Sequence, residues 1–236
     1  MWLVSNKVLV KDSGLFEGFC DCHCHLLPGV DDGVQVQEET LNILRQWEAQ
    51  GVKEIWMTPH IMEDVPNEPD KLRSKFEAFT ALYAGNIKLN LAAEHMMDGL
   101  FLKRLEADNL LSIGEGRKRL LVETSYYIPP MNMDAIVDQV KQKGYEPILA
   151  HPERYQYMDM NDYRHWKEKG MLLQLNVPSL IGTYGPEAQA KAKDLLDCGM
   201  YDCCGTDTHS QDYVDYFLES MINKKVVKKV KRLLGT

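Results

Sequence analysis

The chain has 236 residues, 44% of them hydrophobic and 26% charged, with 35 acidic against 27 basic side chains and a formal net charge of -8. That is enough chain for one α/β barrel or two small domains with a sizeable core, and the acidic balance argues against non-specific nucleic-acid binding. The N-terminus, MWLVSNKVLVKDSGLF, lacks a basic lead into a continuous apolar stretch, and nowhere do ~18 apolar residues run together, so the expectation is a cytoplasmic protein with neither signal peptide nor membrane span.

The first predicted strand runs from Phe19 to His25 and opens the segment DCHCHLLPGVDDG at 21–33. In a regular strand Asp21, His23 and His25 share one face, and Cys20, Cys22 and Cys24 share the other. Two imidazoles then point at one spot, which with nearby carboxylates is how proteins hold Zn, Mn or Fe. Taken alone, the pair reads as well as two surface histidines on an edge strand. A helix follows over Glu38 to Gln50, with Leu41, Leu44 and Trp47 at helical spacing and Gly51 as its stop. The strand Lys53 to Thr58 leads through Pro59 to His60, and the helix Asp70 to Tyr83 carries Leu72, Phe76 and Phe79 on one side. Strands at Ile87 to Glu94, Arg119 to Thr124, Glu146 to His151, Met171 to Val177 and Tyr201 to Asp207 alternate with helices at Asp134 to Lys143, Asp162 to Lys169 and Glu187 to Asp197. Residues 217–236 form a terminal helix. Its Lys224, Lys225, Lys228, Lys229, Lys231 and Arg232 make a solvated face, and Val226, Val230 and Leu233 pack inward. An anionic partner or membrane surface is the lesser reading of that face.

Repeated strand-helix units imply a parallel sheet, and seven of them close or nearly close a barrel. The expected fold is therefore a (β/α)7 barrel in a single domain, 1–236, with residues 1–18 as an N-terminal extension. A doubly wound open sheet is the alternative, but no GxGxxG follows a strand to support a dinucleotide-binding form. The strand ends share a pattern. His23 and His25 end the first strand, His60 follows the second, Glu94 ends the third, Glu123 the fourth, His151 the fifth, Asn176 the sixth, and Asp207 with His209 the seventh. Active sites of parallel barrels lie at the C-terminal ends of the strands, so these residues converge on one mouth as a multi-metal site. Asp31 and Asp32 also suit a turn or a helix cap. His95 should point away from Glu94, His165 should sit on the surface, and Glu63, Asp64 and Glu68 should form a solvated lip.

The six cysteines show neither a disulfide framework nor paired CxxC spacing, and read as reduced, mostly buried small side chains. A cysteine-nucleophile phosphatase needs an arginine six residues after its cysteine; the residues at that distance here are Leu26, Pro28, Val30, Cys204, His209 and Ser210.

HxH at 23 and 25, the Asp-Asp-Gly that follows, TPH at 58–60, Glu94, Glu123, AHPERY at 150–155 and GTDTH at 205–209 together resemble the polymerase-and-histidinol-phosphatase (PHP) superfamily. Within it the chain most resembles the bacterial metal-dependent tyrosine-protein phosphatases of capsular and exopolysaccharide synthesis, over residues 19–210. The resemblance implies a distorted (β/α)7 barrel. It implies one metal on His23, His25, Glu94 and Asp207, a second sharing Glu94 and held by Glu123 and His151, and a third on Asp32, His60 and His209. Two or three divalent ions, Mn first and Fe or Zn next, would activate a hydroxide that attacks phosphorus in line. Arg154 would grip the phosphate, and His209 and Asp32 are the candidates for proton relay to the leaving group. The implied partner is a phosphotyrosine protein, the tyrosine-rich tail of a bacterial tyrosine kinase. The chain departs from compact relatives in its acidic Glu63-Asp64 after His60 and in its N-terminal extension. A small-molecule phosphatase, histidinol phosphate being the leading substrate, and a non-catalytic metal-binding regulatory module are the rival functions.

Overall fold

A computed structural model describes residues 6–114 and 118–235. In chain order the elements are β1 (Lys7–Leu9), β2 (Cys20–Cys24), α1 (Gln37–Ala49), β3 (Glu54–Met57), β4 (His60–Ile61), α2 (Pro69–Thr80), β5 (Lys88–Leu91), β6 (Glu94–Met96), α3 (Gly99–Glu106), β7 (Arg119–Glu123), α4 (Met133–Gln142), β8 (Glu146–Leu149), α5 (Met160–Glu168), β9 (Leu172–Asn176), α6 (Gly185–Asp197), β10 (Cys203–Gly205), α7 (Gln211–Leu218), β11 (Met221–Asn223) and α8 (Lys224–Leu234). The architecture is a mixed α/β fold built on parallel strands. One sheet has the order β10-β9-β8-β7-β6-β4 and a second the order β2-β3-β5, with every pair in both parallel.

One expected strand, Ile87 to Glu94, is broken in two, and another, Lys53 to Thr58, is followed by a short strand not expected from the sequence. Pro59 has no amide to donate to a ladder, so the second strand stops at Met57 and resumes as β4; the third breaks at Ala92-Ala93, between β5 and β6. The break shifts the upper halves into the other sheet, where His60 lies directly opposite Glu94. Between β2 and β10 the link is a single parallel bridge, Cys24 to Thr208, reinforced where the Thr206 and Asp207 amides donate to His23 O and the His25 amide donates to Thr208 O.

Strand alternation divides the core. Leu120, Val122, Leu149, Leu173 and Leu175 join the main core beneath the helices, while Leu121, Ile148 and Leu172 turn to the opposite face with Cys22, Trp56 and Cys203. Glu123 follows Leu121 by two, and Gln174 and Asn176 follow Leu172, so these polar side chains continue the inner face at its C-terminal end. The expected common face of Cys20, Cys22 and Cys24 is not kept. A β-bulge between Asp21 and Cys24 shifts the register against β3, placing Cys22 in the inner cluster and Cys24 in the main core. All six thiols are free, and three of them, Cys22, Cys24 and Cys204, are buried.

The terminal segment 217–236 is not one helix. A chain reversal after α7 inserts β11, antiparallel to β1, before α8 begins at Lys224. Of the N-terminal extension, residues 1–5 lie outside the described residues. The remainder packs through Phe16, whose ring lies 4.9 Å from Phe19, 4.8 Å from Trp47 and 5.8 Å from Phe217. On α8, Val227 and Val230 are buried and the lysines at 224, 225 and 228 are exposed. No helix among the described residues is long and apolar enough to cross a membrane.

Candidate metal centre

Every strand-end residue singled out in the sequence reaches the same place. His23 Nε2 lies 3.1 Å from His25 Nε2, 3.2 Å from Glu94 Oε2 and 3.4 Å from Asp207 Oδ1. His25 Nε2 lies 3.3 Å from Glu94 Oε2 and 3.5 Å from Asp207 Oδ1. His151 Nε2 meets Glu94 Oε1 at 2.9 Å, and His60 Nδ1 meets Glu94 Oε2 at 3.2 Å and Glu123 Oε1 at 3.0 Å. At the outer edge, Asp32 Oδ1 lies 3.5 Å from His60 Nε2 and 3.6 Å from His209 Nε2. These atoms form four groups, each drawn within 4.8 Å: His25, Asp32, His60 and His209; His23, His25 and Asp207; His23, Glu94 and His151; His60, Glu94 and Glu123.

Lone pairs packed this closely need a cation between them, and two observations say so. His60 Nδ1 and Glu123 Oε1 are buried, and apart from their approach to each other and to Glu94 neither has a hydrogen-bond partner. Buried polar atoms without partners are rare. Burial alone would drive the His23 imidazole to lose its proton, yet Glu94 and Asp207 outweigh it and push its pKa up to about 9. Burial likewise opposes charge on Asp207, but His23, His25, His209 and Arg154 hold that carboxyl well below its ordinary range. Imidazole nitrogens and carboxylate oxygens, with no thiol among them, suit Mn, Fe or Zn.

A second layer orients the imidazoles. Gln174 Oε1 accepts from the His151 amide at 3.1 Å and stands 3.0 Å from His23 Nδ1, so the His23 proton belongs on Nδ1 and its Nε2 lone pair faces the carboxylates. Asp31 does the same for His25, taking Nδ1–H at 2.8 Å. Asp31 and Gln174 escape sequence reasoning because a turn aspartate and a mid-strand glutamine look ordinary until the fold places them behind the histidines. Gly33 and Gly205 permit this packing: a Cβ on Gly33 would collide with His25, and one on Gly205 with His23. His151 and Asp207 hold φ of 33° and 53°, a left-handed conformation that costs an ordinary residue about 1–2 kcal/mol.

Arg154 lies beside the cluster. Its Nη1 donates to Asp207 Oδ2 at 2.7 Å, and its guanidinium sits 4.5 Å from the Tyr126 ring and 4.1 Å from the Tyr184 ring. Asn176 Nδ2 and Tyr184 OH donate to the same Asp207 oxygen at 3.0 and 3.2 Å. The excluded residues lie where expected. His95 is buried away from the cluster with Nε2 3.1 Å from Leu111 O, and burial pushes its pKa down to about 4. His165 pairs with Asp134 at the surface, and Glu63 and Asp64 are exposed. Asp21, the face-mate expected beside the histidines, belongs to no ligand group; its carboxylate accepts from Thr206 and the His23 amide.

Among known proteins, the family model for capsular polysaccharide synthesis proteins CpsB/CapC matches residues 19–232. The tyrosine-protein phosphatase YwqE of Bacillus subtilis (strain 168) is 30% identical over 200 residues, 80% of this chain and 77% of that protein. The tyrosine-protein phosphatase CpsB of Streptococcus pneumoniae is 24% identical over 228 residues, covering 90% and 93%. A solved structure from the work on B. subtilis YwqE and S. pneumoniae CpsB, described as unique metal-dependent tyrosine phosphatases, shares the fold with a TM-score of 0.78 at 24% identity, covering 92% of this chain and 88% of that one. With strand ends, ligand cluster and matched span in agreement, the chain belongs to the CpsB/CapC family of capsular polysaccharide synthesis.

Proposed function

We propose that this protein is a metal-dependent phosphatase that removes phosphate from tyrosine in proteins, and that its partner is a cytoplasmic bacterial tyrosine kinase of capsular or exopolysaccharide synthesis. The observation that carries the reading is the gathering of nine nitrogen- and oxygen-donor side chains, His23, His25, Asp32, His60, Glu94, Glu123, His151, Asp207 and His209, into overlapping groups at the strand ends. The names of the B. subtilis and S. pneumoniae relatives support the substrate class. We assign one ion to His23, His25, Glu94 and Asp207, a second to Glu94, Glu123 and His151, and a third to Asp32, His60 and His209, with Mn as the metal. In the observed groups His23, His25, His60 and Glu94 each occur twice, so these four side chains stand between positions. The scaffold is read as a distorted (β/α)7 PHP-type barrel spanning 1–236. Its support is that seven strand positions follow sequence order, with the first and last joined at Cys24 and Thr208.

Bound divalent ions would supply an acidified water, neutralise the phosphate and stabilise the leaving oxygen. The rest belongs to the side chains. Arg154 offers a fork of N–H donors for the phosphoryl oxygens, packed against the rings of Tyr126 and Tyr184. Asn176 and Tyr184 hold Asp207 Oδ2, which leaves Oδ1 toward His23 and His25. Asp32, largely exposed, and His209, half-buried, form the hydrogen-bonding edge nearest solvent and are placed to pass a proton to a departing oxygen.

The test is to strip the protein of metal and measure phosphate release from a phosphotyrosine peptide and from histidinol phosphate, with and without Mn. Mn-dependent turnover preferring the peptide is expected. Preference for histidinol phosphate moves the substrate to a small molecule, and no turnover on either makes the protein a non-catalytic module.

A further inference from the structure

Three of the eight large hydrophobic side chains exposed among the described residues fall together in the loop between β7 and α4: Tyr127 and Ile128 at 68% exposure and Met131 at 87%. Exposed apolar side chains scattered singly need no explanation, but a cluster marks a contact surface. This one borders the metal centre. The loop follows Glu123 directly, and the Tyr126 ring lies 5.7 Å from His151 as well as 4.5 Å from the Arg154 guanidinium. Tyr126 and Tyr127 line a cavity of ≈ 220 Å³ together with Arg154, Tyr184 and Glu187.

The loop is fastened at its root and stiff at its crest. The Gln156 amide donates to Tyr126 O at 2.8 Å, and the Thr124 and Tyr157 hydroxyls meet at 2.7 Å. Pro129 and Pro130 fix φ between Ile128 and Met131. A ridge already ordered loses little conformational freedom when something binds it. After β2 and β4 the exposed side chains include the acidic Asp32, Glu63 and Asp64, with Val36 as the one large apolar side chain exposed there among the described residues.

We propose that the ridge of Tyr127, Ile128 and Met131 docks the residues flanking a phosphotyrosine in an extended protein segment, and that it selects an apolar flank. The proposal rests on the phosphatase reading above and adds the sequence context that the site prefers. A small phosphate ester needs only Arg154 and the metal centre, whereas a peptide chain entering the cavity must cross the rim.

The experiment compares kcat/KM of the Mn-loaded protein on p-nitrophenyl phosphate, on a phosphotyrosine peptide with leucine flanks, and on the same peptide with serine flanks. It does so for the native chain and for the double variant Ile128→Ser, Met131→Ser. The native protein should favour the leucine-flanked peptide by about tenfold, the effect of burying roughly one aliphatic side chain. The double variant should lose that preference, mainly through KM, and keep its rate on p-nitrophenyl phosphate. Turnover of p-nitrophenyl phosphate with equal kcat/KM on the two peptides, or a preference that survives the double substitution, overturns the docking alone. So does a variant that converts a sedimenting dimer to monomer without altering peptide kinetics, which makes the ridge a contact between copies of this chain. Absence of turnover on all three substrates overturns the phosphatase reading and the docking with it.

Discussion

Asp31→Asn tests what one buried carboxylate does for the metal centre without changing the size of the side chain. Asp31 Oδ2 takes the His25 Nδ1–H at 2.8 Å and the His60 amide at 3.0 Å, while Oδ1 takes the Gly33 amide at 3.0 Å. All three partners are donors, and asparagine has one oxygen to offer them. With that oxygen toward His25 and His60, the new NH2 faces the Gly33 N–H. With it toward Gly33, the NH2 faces His25, which must carry its proton on Nε2 and present it to Glu94 and Asp207. Each arrangement leaves at least one buried donor unpaired, about 1–3 kcal/mol, and the second also removes the lone pair needed by a metal. Loss of the partner behind a metal-ligating imidazole costs about 10–100-fold in affinity, or about 1.4–2.7 kcal/mol, so the two routes agree. Calorimetric titration of Mn into stripped protein should show Kd rising by about 10–100-fold. Asp21→Asn, whose carboxylate serves Thr206 and the His23 amide and touches no ligand imidazole, should lower Tm and leave Kd unchanged. A native Kd in Asp31→Asn, with 15N spectra still showing the His25 proton on Nδ1, would refute the reasoning.

Arg154→Lys replaces the fork between Tyr126 and Tyr184 with a point charge; kcat/KM on a phosphotyrosine peptide should drop by about 10–100-fold with metal content by mass spectrometry unchanged. Glu153 is buried, which pushes its carboxyl up from 4.5 to about 7 despite hydrogen bonds from Tyr201 and the Asn176 amide. The folded chain therefore keeps a proton that the unfolded chain gives up between these values, and stability falls as pH rises through that window. Glu153→Gln should show none of this fall, and the difference between the two proteins in urea unfolding should grow by about 3 kcal/mol from pH 4.5 to above 7. Phe16→Ala empties a place between Phe19, Trp47 and Phe217 and should cost about 3–5 kcal/mol by the urea midpoint. A change near zero there would make the N-terminal extension an appendage.

Much of the site was legible because parallel strands bring their C-terminal ends together, so His23, Glu123 and Asp207 needed no spatial information beyond their place in the pattern. The period-two rule failed where a bulge interposed one residue: Cys22 and Cys24 part company and Asp21 leaves the histidines. The break at Ala92-Ala93 was hidden because its flanks still read as one apolar run, and β4, beyond the expected end of the second strand at Thr58, was too short to register; only the pairing of His60 with Glu94 shows why the chain steps sideways there. The very short β1 and β11 carry too few residues for any periodicity to register. Tyr126 and Tyr184 were invisible for another reason: nothing local says that two rings in separate loops will flank one guanidinium.

The junction between β2 and β10, held by one bridge and a few hydrogen bonds rather than a full ladder, has a consequence for the life of the protein in the cell. His23 and His25 stand on one side of that junction and Asp207 and His209 on the other, so an ion held among them laces the start of the parallel sheet to its end. A ligand that binds only the folded chain adds about 2.7 kcal/mol at a hundred times its Kd. Scarcity of metal then withdraws activity and structural closure in one step. A metal-starved cell would hold less of this protein as well as a slower one, because chains opened along that junction are the ones a protease can take.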